Sequence, residues 1–522
     1  MLGIRAIIIA FVGLSASGAS LVRPYWGLLM LAVLYFFRPD LYGAEEYVTP
    51  VKWLTISILL GYCFTALSRR DGRNARSTGI LPVSCMGVSP MQRGLGRGGV
   101  AAAVVRDDTP ANRHHGRNAR RTHGQDARAT WGAGEMPASR PDGPFTGTGW
   151  IAGILGVYMV STVFAPMTDA VSWERLWLIV KIFIAVFLIQ KLCDTPVRLA
   201  GFVAAMVLGS CWFLKVTILG WAAYGWGDVR IDAAAGQGGG ANYIAWVLAA
   251  MTGFVLYKAV RGRGWQRWAA IVLTVLLVIG NMATGSRGGL LCLAAAGATF
   301  VVMMRRRMLL LIPAGAIAVL ALVNLAPESY MERMATITSD PDKMDTSSLA
   351  RYQNVQLGQQ IIQDFPLFGT GLETFPRAKR AYMTSEYVGG THHVAHNTLI
   401  QMGSECGVPM LLAFGVVTGV AAWRLLRRRP VPDGADDDHL EWVRIGTLCA
   451  LAATWVEMLK GDVAHMDVFW WFYGLAFAYH RVSRRLTCGV KRQNSKSETR
   501  HPKQIPRKQN SKPQTTKPAL AP

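Results

Sequence analysis

Charge is scarce in this 522-residue chain: 17% of residues are Asp, Glu, Lys or Arg, against 51% hydrophobic. That ratio excludes an ordinary soluble globular protein of this size, whose charged share is about a quarter. Paired cysteines are also missing. The eight cysteines show no CxxC spacing, and Cys63, Cys193, Cys211, Cys292 and Cys449 fall in or at apolar runs. They read as small packing residues, which excludes a disulfide framework or a cysteine-built metal centre. There is no GxSxG elbow, so a soluble-type hydrolase triad is not supported. The glycine-rich stretch "GQGGGAN" lacks the order of a phosphate loop, which argues against nucleotide binding. No small-residue cleavage site follows the first apolar run, so that run, with Arg5, is read as a retained helix and not a signal peptide.

Long apolar runs are abundant. They fall near 3–22, 25–38, 50–68, 148–166, 173–190, 197–221, 241–260, 267–283, 288–304, 308–326, 398–424, 441–460 and 464–481. About twenty residues span the hydrocarbon core of a bilayer, and lipid demands that backbone groups be satisfied within helices or a closed barrel. The fold class is therefore an all-α polytopic membrane protein. The run at 25–38 is short, which leaves about twelve transmembrane helices.

The net charge of +23 invites a nucleic-acid reading, but its location argues against one. Residues 69–145 hold 13 Arg against 6 acids, and residues 481–522 hold 12 Lys or Arg against one Glu. Both segments lack apolar periodicity and are expected to be disordered. Beside a membrane, such basic segments mark the cytoplasmic side and attract anionic lipid. The clusters at Arg261–Arg267, Arg305–Arg307 and Arg424–Arg429 point the same way. Threading the helices between them puts the loops around 223–240, 284–287 and 327–395 on the outer face.

The expected organisation follows: N-terminal membrane helices (1–68), a low-complexity basic cytoplasmic insertion (69–145), membrane helices (146–326), one large outer loop with an amphipathic helix (327–395), C-terminal membrane helices (396–482) and a basic tail (483–522). The insertion repeats "GRNAR" at 72–76 and 116–120, as inserted low-complexity elements do. In the loop, Thr346 or Ser347 suits an N-cap, Leu349, Tyr352, Val355 and Ile362 suit one helical face, and Pro366 and Gly369 suit a stop.

Ionisable residues at a membrane boundary are costly unless paired or functional. Arg230 in "GDVRIDAAAGQGGGANY", Arg287 in "ATGSRGGL", Arg351 in the loop helix and His396 in "THHVAHNTL" all fall on the outer face by the topology argument. Guanidinium groups donate paired hydrogen bonds to phosphate oxygens. A histidine beside them can take a proton from an attacking hydroxyl near neutral pH. An arginine at a helix end also serves as a headgroup anchor, and that reading stays open for each one alone. His393, His396 and Glu405 form a rival metal set, weakened by the glycine-rich lead-in and by the axial distance to Glu405. Asn397 suits a helix N-cap. Glu405 suits a polar contact in the bundle or a partner for an arginine. Asp462, His465 and Asp467 suit a polar turn at the same face.

At these residues the chain resembles the O-antigen ligase and polymerase superfamily of bacterial inner-membrane proteins. The pieces that carry the resemblance are "GANYIAWVLA", "ATGSRGGLLCLAAA", "ARYQNVQLGQQIIQDFPLFGTGLETF" and "HNTLIQMGSECGVPMLLAF", in that order, over roughly 150–482. The first 68 residues, with "RPYWGLL" and "YFFRPD", more weakly resemble O-glycosylation ligases found with exosortase systems. The resemblance implies a GT-C-like helical fold and a metal-independent, inverting glycosyltransferase that needs no cofactor. It implies an undecaprenyl-diphosphate-linked glycan as donor, and a lipid A-core, protein or glycan hydroxyl as acceptor at the periplasmic face. It assigns Arg230 and Arg287 to the donor diphosphate, Arg351 to its support or to ordering the loop, and His396 to the base or acceptor-orienting role; from the residues themselves, His393, Asn397 and Glu405 are further candidates beside them. A polymerase shares these motifs. A transporter of an anionic solute or lipid-linked sugar is the reading from another class. It requires charges deep in the spans, for which Lys181 and Lys215 are the candidates, and no inverted repeat is visible. A scaffold without activity would leave the outer Arg/His set unexplained.

Overall fold

With no water to satisfy peptide groups in lipid, a membrane-embedded chain closes its hydrogen bonds within helices. All regular structure among the described residues is helical. The computed structural model describes residues 15–37, 54–66, 147–224, 240–304, 346–385, 387–390, 394–428 and 435–500. The chain divides into two units, Met1–Ala66 with Pro144–Pro522, and Leu67–Gly143. The second contains nearly all of the basic insertion and lies outside the described residues, as do the candidate span 308–326 and most of 3–22.

The helices used below are α1 (Pro24–Phe37), α2 (Leu54–Ala66), α3 (Gly147–Phe164), α4 (Ala170–Leu192), α5 (Pro196–Tyr224), α6 (Gly240–Arg261), α7 (Gly264–Ala283), α8 (Arg287–Met304), α9 (Thr346–Asp364), α10 (Thr398–Cys406), α11 (Val408–Leu426), α12 (Ala435–Met458) and α13 (Asp467–Arg500). Six of them, α3, α5, α6, α7, α8 and α11, are long and apolar enough to cross a membrane. The chain is a membrane protein on this count together with its composition.

Helix α6 is the axis of the packing, contacting α5, α7, α8 and α12. Apolar burial gains little between helices already in lipid, so close packing and interhelical hydrogen bonds carry the association. Trp246 Nε1 donates to Thr454 Oγ1 at 3.0 Å, Trp442 Nε1 to the Phe254 carbonyl at 2.7 Å, and Asn281 Nδ2 to the Ala245 carbonyl at 2.6 Å. Phe36, Phe213, Tyr35 and Trp471 make edge and tilted ring contacts that tie α1 and α5 to α13.

The bundle has two chemically different ends. One gathers Lys258, Arg261, Arg263, Arg428 and Arg444, countered by Asp437, Asp438 and Glu441. Exposed Trp265, Trp268 and Trp423 flank that end, as aromatic residues do at a membrane interface. The other end gathers the starts of α6, α8, α10 and α13 and the end of α12.

The apolar run 398–424 breaks into two helices at Gly407. Pro409 has no N–H to give the Glu405 carbonyl, so a continuous helix would leave that oxygen unsatisfied. Gly407 takes φ +79°, a backbone region that favours glycine. The carbonyls released at the break are taken by the 366–371 turn. Thr370 N donates to the Ser404 oxygen and Gly371 N to the Glu405 oxygen, both at 2.9 Å, and Val408 N donates to the Pro366 oxygen at 2.7 Å. The broken helix thereby holds the large loop onto the bundle.

Candidate active site

Helix α9 starts at Thr346, within a residue of the expected cap, and ends at Asp364, just before Pro366. Its buried stripe differs from the expected one. Ala350, Asn354, Leu357 and Ile361 face inward, whereas Tyr352 is 53% exposed. Small residues explain the shift, because Gly358 lets Ile400 approach where a Cβ would collide at 2.1 Å. Bulk-based periodicity cannot see a face built on Ala, Gly and Asn.

Asn354 is buried because it joins a polar knot around Lys379, whose side chain is also buried. Lys379 Nζ donates to Asn354 Oδ1 at 3.2 Å, Tyr387 OH at 2.9 Å and the Gly390 carbonyl at 3.0 Å. Burial, with Arg380 nearby, pushes the Lys379 ammonium down to about 8. Asn354 Nδ2 also donates to the Val394 carbonyl at 3.3 Å. The knot thus fixes the strand of chain that leads into His396.

The entry to α10 is then tightly specified. Ala395 N donates to Gln401 Oε1 at 2.8 Å. His396 takes φ +53°, a left-handed conformation uncommon for a side chain of its size. Asn397 caps the helix, its Oδ1 accepting from Leu399 N at 3.0 Å and Ile400 N at 3.1 Å. Its Nδ2 donates to the Leu459 carbonyl at 3.2 Å. Thr398 Oγ1 donates to the Gly461 carbonyl at 2.7 Å and accepts from Val463 N at 3.1 Å. The α10 entry and the α12–α13 turn form one seam.

That turn carries an ion pair. Lys460 Nζ bonds the carboxylate of Glu457, which is buried in the last turn of α12. Cys292 Sγ of α8 lies 3.5 Å from the same carboxylate. Arg351 of α9 lies close enough to act on Glu457 through its charge. The Lys460 side chain rests on Gly288, where an added Cβ would fall 2.1 Å from Nζ. Arg287 is the next residue, at the start of α8. Ser286 sets that start, accepting from Gly289 N at 3.0 Å and donating to Asn242 Oδ1 at 2.7 Å.

Three of the four leading candidates therefore come to one end of the bundle. Arg351 and Arg287 approach the Glu457–Lys460 turn from α9 and α8, and His396 sits one residue before the cap that is bonded to it. The fourth, Arg230, lies outside the described residues, as does His393. Glu405 stands apart from this group. It is buried about 12 Å along α10 by helical rise, where its carboxylate accepts from Gln401 Nε2 and Phe375 N.

Around the group lie further charges. His465 Nδ1 is 3.3 Å from Asp462 Oδ2. Burial alone would raise the Asp462 carboxyl, but His465 and Arg175 outweigh it and hold it below the usual range. Arg175 pairs with Glu373, and Arg377 pairs with Asp169 at 2.8 Å. Asp169 is lowered first by the Ser172 N–H it accepts, and Arg377 adds to this against the opposing cost of burial. It caps α4, so this pairing anchors the loop to the bundle.

The sequence reading missed Glu457, Lys460 and Lys379. "WVEMLKGD" held a signal, an acid and a base three residues apart at the end of an apolar run. The two lysines singled out as buried charges, Lys181 and Lys215, are not buried. Lys215 is exposed and lies over the Trp212 ring at 4.7 Å, and Lys181 is half-buried over Trp177 at 5.6 Å. Long cationic stems reach the surface along aromatic neighbours, so these two residues give the transporter reading no support.

A family described as O-antigen ligase matches residues 272–415. The match contains Arg287, Arg351, Lys379, His396, Asn397 and Glu405, and ends within α11. Among curated proteins none matches the sequence.

Proposed function

We propose that the chain, which matches an O-antigen ligase family over residues 272–415, transfers a glycan from undecaprenyl diphosphate to an acceptor hydroxyl. The acceptor is a lipid A-core sugar, a protein side chain or another glycan, the last making the enzyme a polymerase. The reaction takes place at the periplasmic face of the bacterial inner membrane, without a metal or cofactor and with inversion at the anomeric carbon.

The observation that carries this reading is that Arg287, Arg351 and the capped His396 entry lie at one end of the bundle, beside the Glu457–Lys460 turn and opposite the basic clusters. Basic clusters favour the cytoplasmic side, so the opposite end suits a periplasmic site. In the proposed reaction, the acceptor oxygen attacks the anomeric carbon from the face opposite the diphosphate. His396 takes the hydroxyl proton, and the carbon–oxygen bond to the diphosphate breaks with its electron pair leaving on the phosphate. Arg287 and Arg351, with Arg230 from the α5–α6 connection, stabilise the charge that develops there. No covalent enzyme intermediate is needed, because the diphosphate is already a good leaving group.

The test is transfer of labelled glycan from undecaprenyl diphosphate in proteoliposomes offered each acceptor class, for wild type and His396→Ala. We expect transfer to one acceptor class and a loss on the order of 10²- to 10⁴-fold in the variant, the range for general base catalysis. Transfer that survives the substitution removes His396 from the chemistry. Donor counterflow across the vesicle without transfer to any acceptor replaces the reading with transport.

A further inference from the structure

An ion pair buried at the end of a bundle helix is a poor source of stability. Desolvating both charges costs about as much as their attraction returns, and an apolar pair packs as well. The Glu457–Lys460 pair is better explained by what surrounds it. Glu457 is 2% exposed and lies beneath the surface of the bundle, while Lys460 covers it from the site side, its side chain 19% exposed. The carboxylate is also within electrostatic reach of Arg351. Lys460 sits on this buried carboxylate, and Arg287 stands next to the glycine on which Lys460 lies.

The position of Lys460 is specified from three directions. Glu457 holds its ammonium. Gly288 gives it a floor, and any larger residue there would displace the end of the side chain. The backbone on either side is bonded to the α10 entry, through Leu459 to Asn397 and through Gly461 to Thr398. A lysine needed only to neutralise Glu457 would not require a glycine in the facing helix or a turn tied to the histidine segment. Lysine offers phosphate a compact charge with rotatable donors.

We propose that Lys460 is a further cation of the donor site, binding the diphosphate of the lipid-linked glycan, and that Glu457 and Gly288 hold its ammonium in place for that contact. This rests on the glycan-transfer reading above and extends it to two residues outside the matched segment.

The test compares Lys460→Met, Lys460→Arg, the double variant Lys460→Met with Glu457→Gln, Gly288→Ala and Arg287→Ala. Each is assayed for KM and kcat with the undecaprenyl-diphosphate glycan, for competition by inorganic pyrophosphate, and for thermal stability in detergent. Lys460→Met should raise donor KM and weaken pyrophosphate competition on the order of 10- to 100-fold, the range for one charge-assisted hydrogen bond. Lys460→Arg should recover part of that loss. Gly288→Ala should move the same readings in the same direction with less change in stability.

The double variant separates binding from charge neutralisation. It removes the stranded carboxylate, so stability should return toward wild type while donor affinity stays low. Donor affinity that returns along with stability would make Lys460 a structural counter-ion and overturn the inference. If Arg287→Ala loses donor affinity while Lys460→Met keeps it, the inference fails and the transfer reading stands. If neither changes donor affinity or pyrophosphate competition, the diphosphate reading of the site falls with it.

Discussion

Asn397 and Leu459 are joined by a single hydrogen bond, Nδ2 to carbonyl oxygen at 3.2 Å, and the other end of the same amide caps α10. One side chain thus fixes both the start of the helix after His396 and the distance from that start to the Glu457–Lys460 turn. The geometry of the candidate base relative to the cations depends on this amide.

Replacing Asn397 by Ala removes cap and tether together, whereas Asp keeps the capping oxygen and loses the donor. We expect Asn397→Ala to cost about 1 kcal/mol more in stability than Asn397→Asp, the usual worth of an N-cap. Both should lower transfer activity, because both release the α10 entry from Leu459. Thermal unfolding in detergent and turnover of labelled donor measure the two effects separately. Full activity in Asn397→Asp would show that the tether does not position the site.

Gly407 has an equally specific prediction. Its φ of +79° disfavours any side chain, and an added Cβ would lie 2.6 Å from the backbone carbon and oxygen of Leu367. Backbone cannot step aside as a flexible side chain can. Gly407→Ala should therefore destabilise by more than about 2 kcal/mol, the left-handed penalty plus the clash. It should also release the 366–371 turn from α10. Reduced yield of folded protein and faster proteolysis within 366–390 would report this, and wild-type behaviour in both would contradict it.

The helical class, most helix positions and the polar entry at His396 were legible in the sequence, because long apolar runs and an Asn before a helix are local signals. The α9 face was not, since its inward stripe is Ala350, Asn354, Leu357 and Ile361 around Gly358, and only the facing Ile400 makes those small residues a packing surface. The break at Gly407 was hidden inside an apolar run, although Pro409 announced it. Lys460 and Glu457 escaped because their meaning lies in three separate helices, α8, α9 and α10, that the chain brings together only on folding. That Arg287 and Arg351 lie at the same end of the bundle was legible only as a shared outer face in the topology argument.

His396 combines a strained backbone with the candidate catalytic side chain, and substitution can part the two. Asn tolerates the left-handed region better than His does, and Gly adopts it freely. His396→Asn or His396→Gly should leave stability unchanged or raise it by up to about 1 kcal/mol, while transfer activity falls with the loss of the imidazole. Activity retained in both would assign this position a backbone role alone. Parallel melting curves and donor turnover decide it.

Lys379 supplies the pH-dependent prediction. An unfolded lysine titrates at about 10.5, and burial lowers Lys379 to about 8. Between those two values the unfolded chain binds more protons than the folded one, so stability rises with pH across that window. Below about 8 both states carry the proton, and the cost of burying the ammonium is constant. Above about 10.5 neither does, and that cost is gone. Lys379→Met removes the titration along with the bonds to Asn354, Tyr387 and Gly390, which shifts its stability by a nearly constant amount. The difference in melting temperature, wild type minus variant, should therefore climb as pH rises from about 8 to about 10.5. Because the knot holds the segment before His396, activity in Lys379→Met should fall mainly through kcat, with donor KM little changed. A melting difference that stays flat across the window would mean that the ammonium is not buried in the folded protein, and a loss confined to KM would move Lys379 from the histidine side of the site to the donor side.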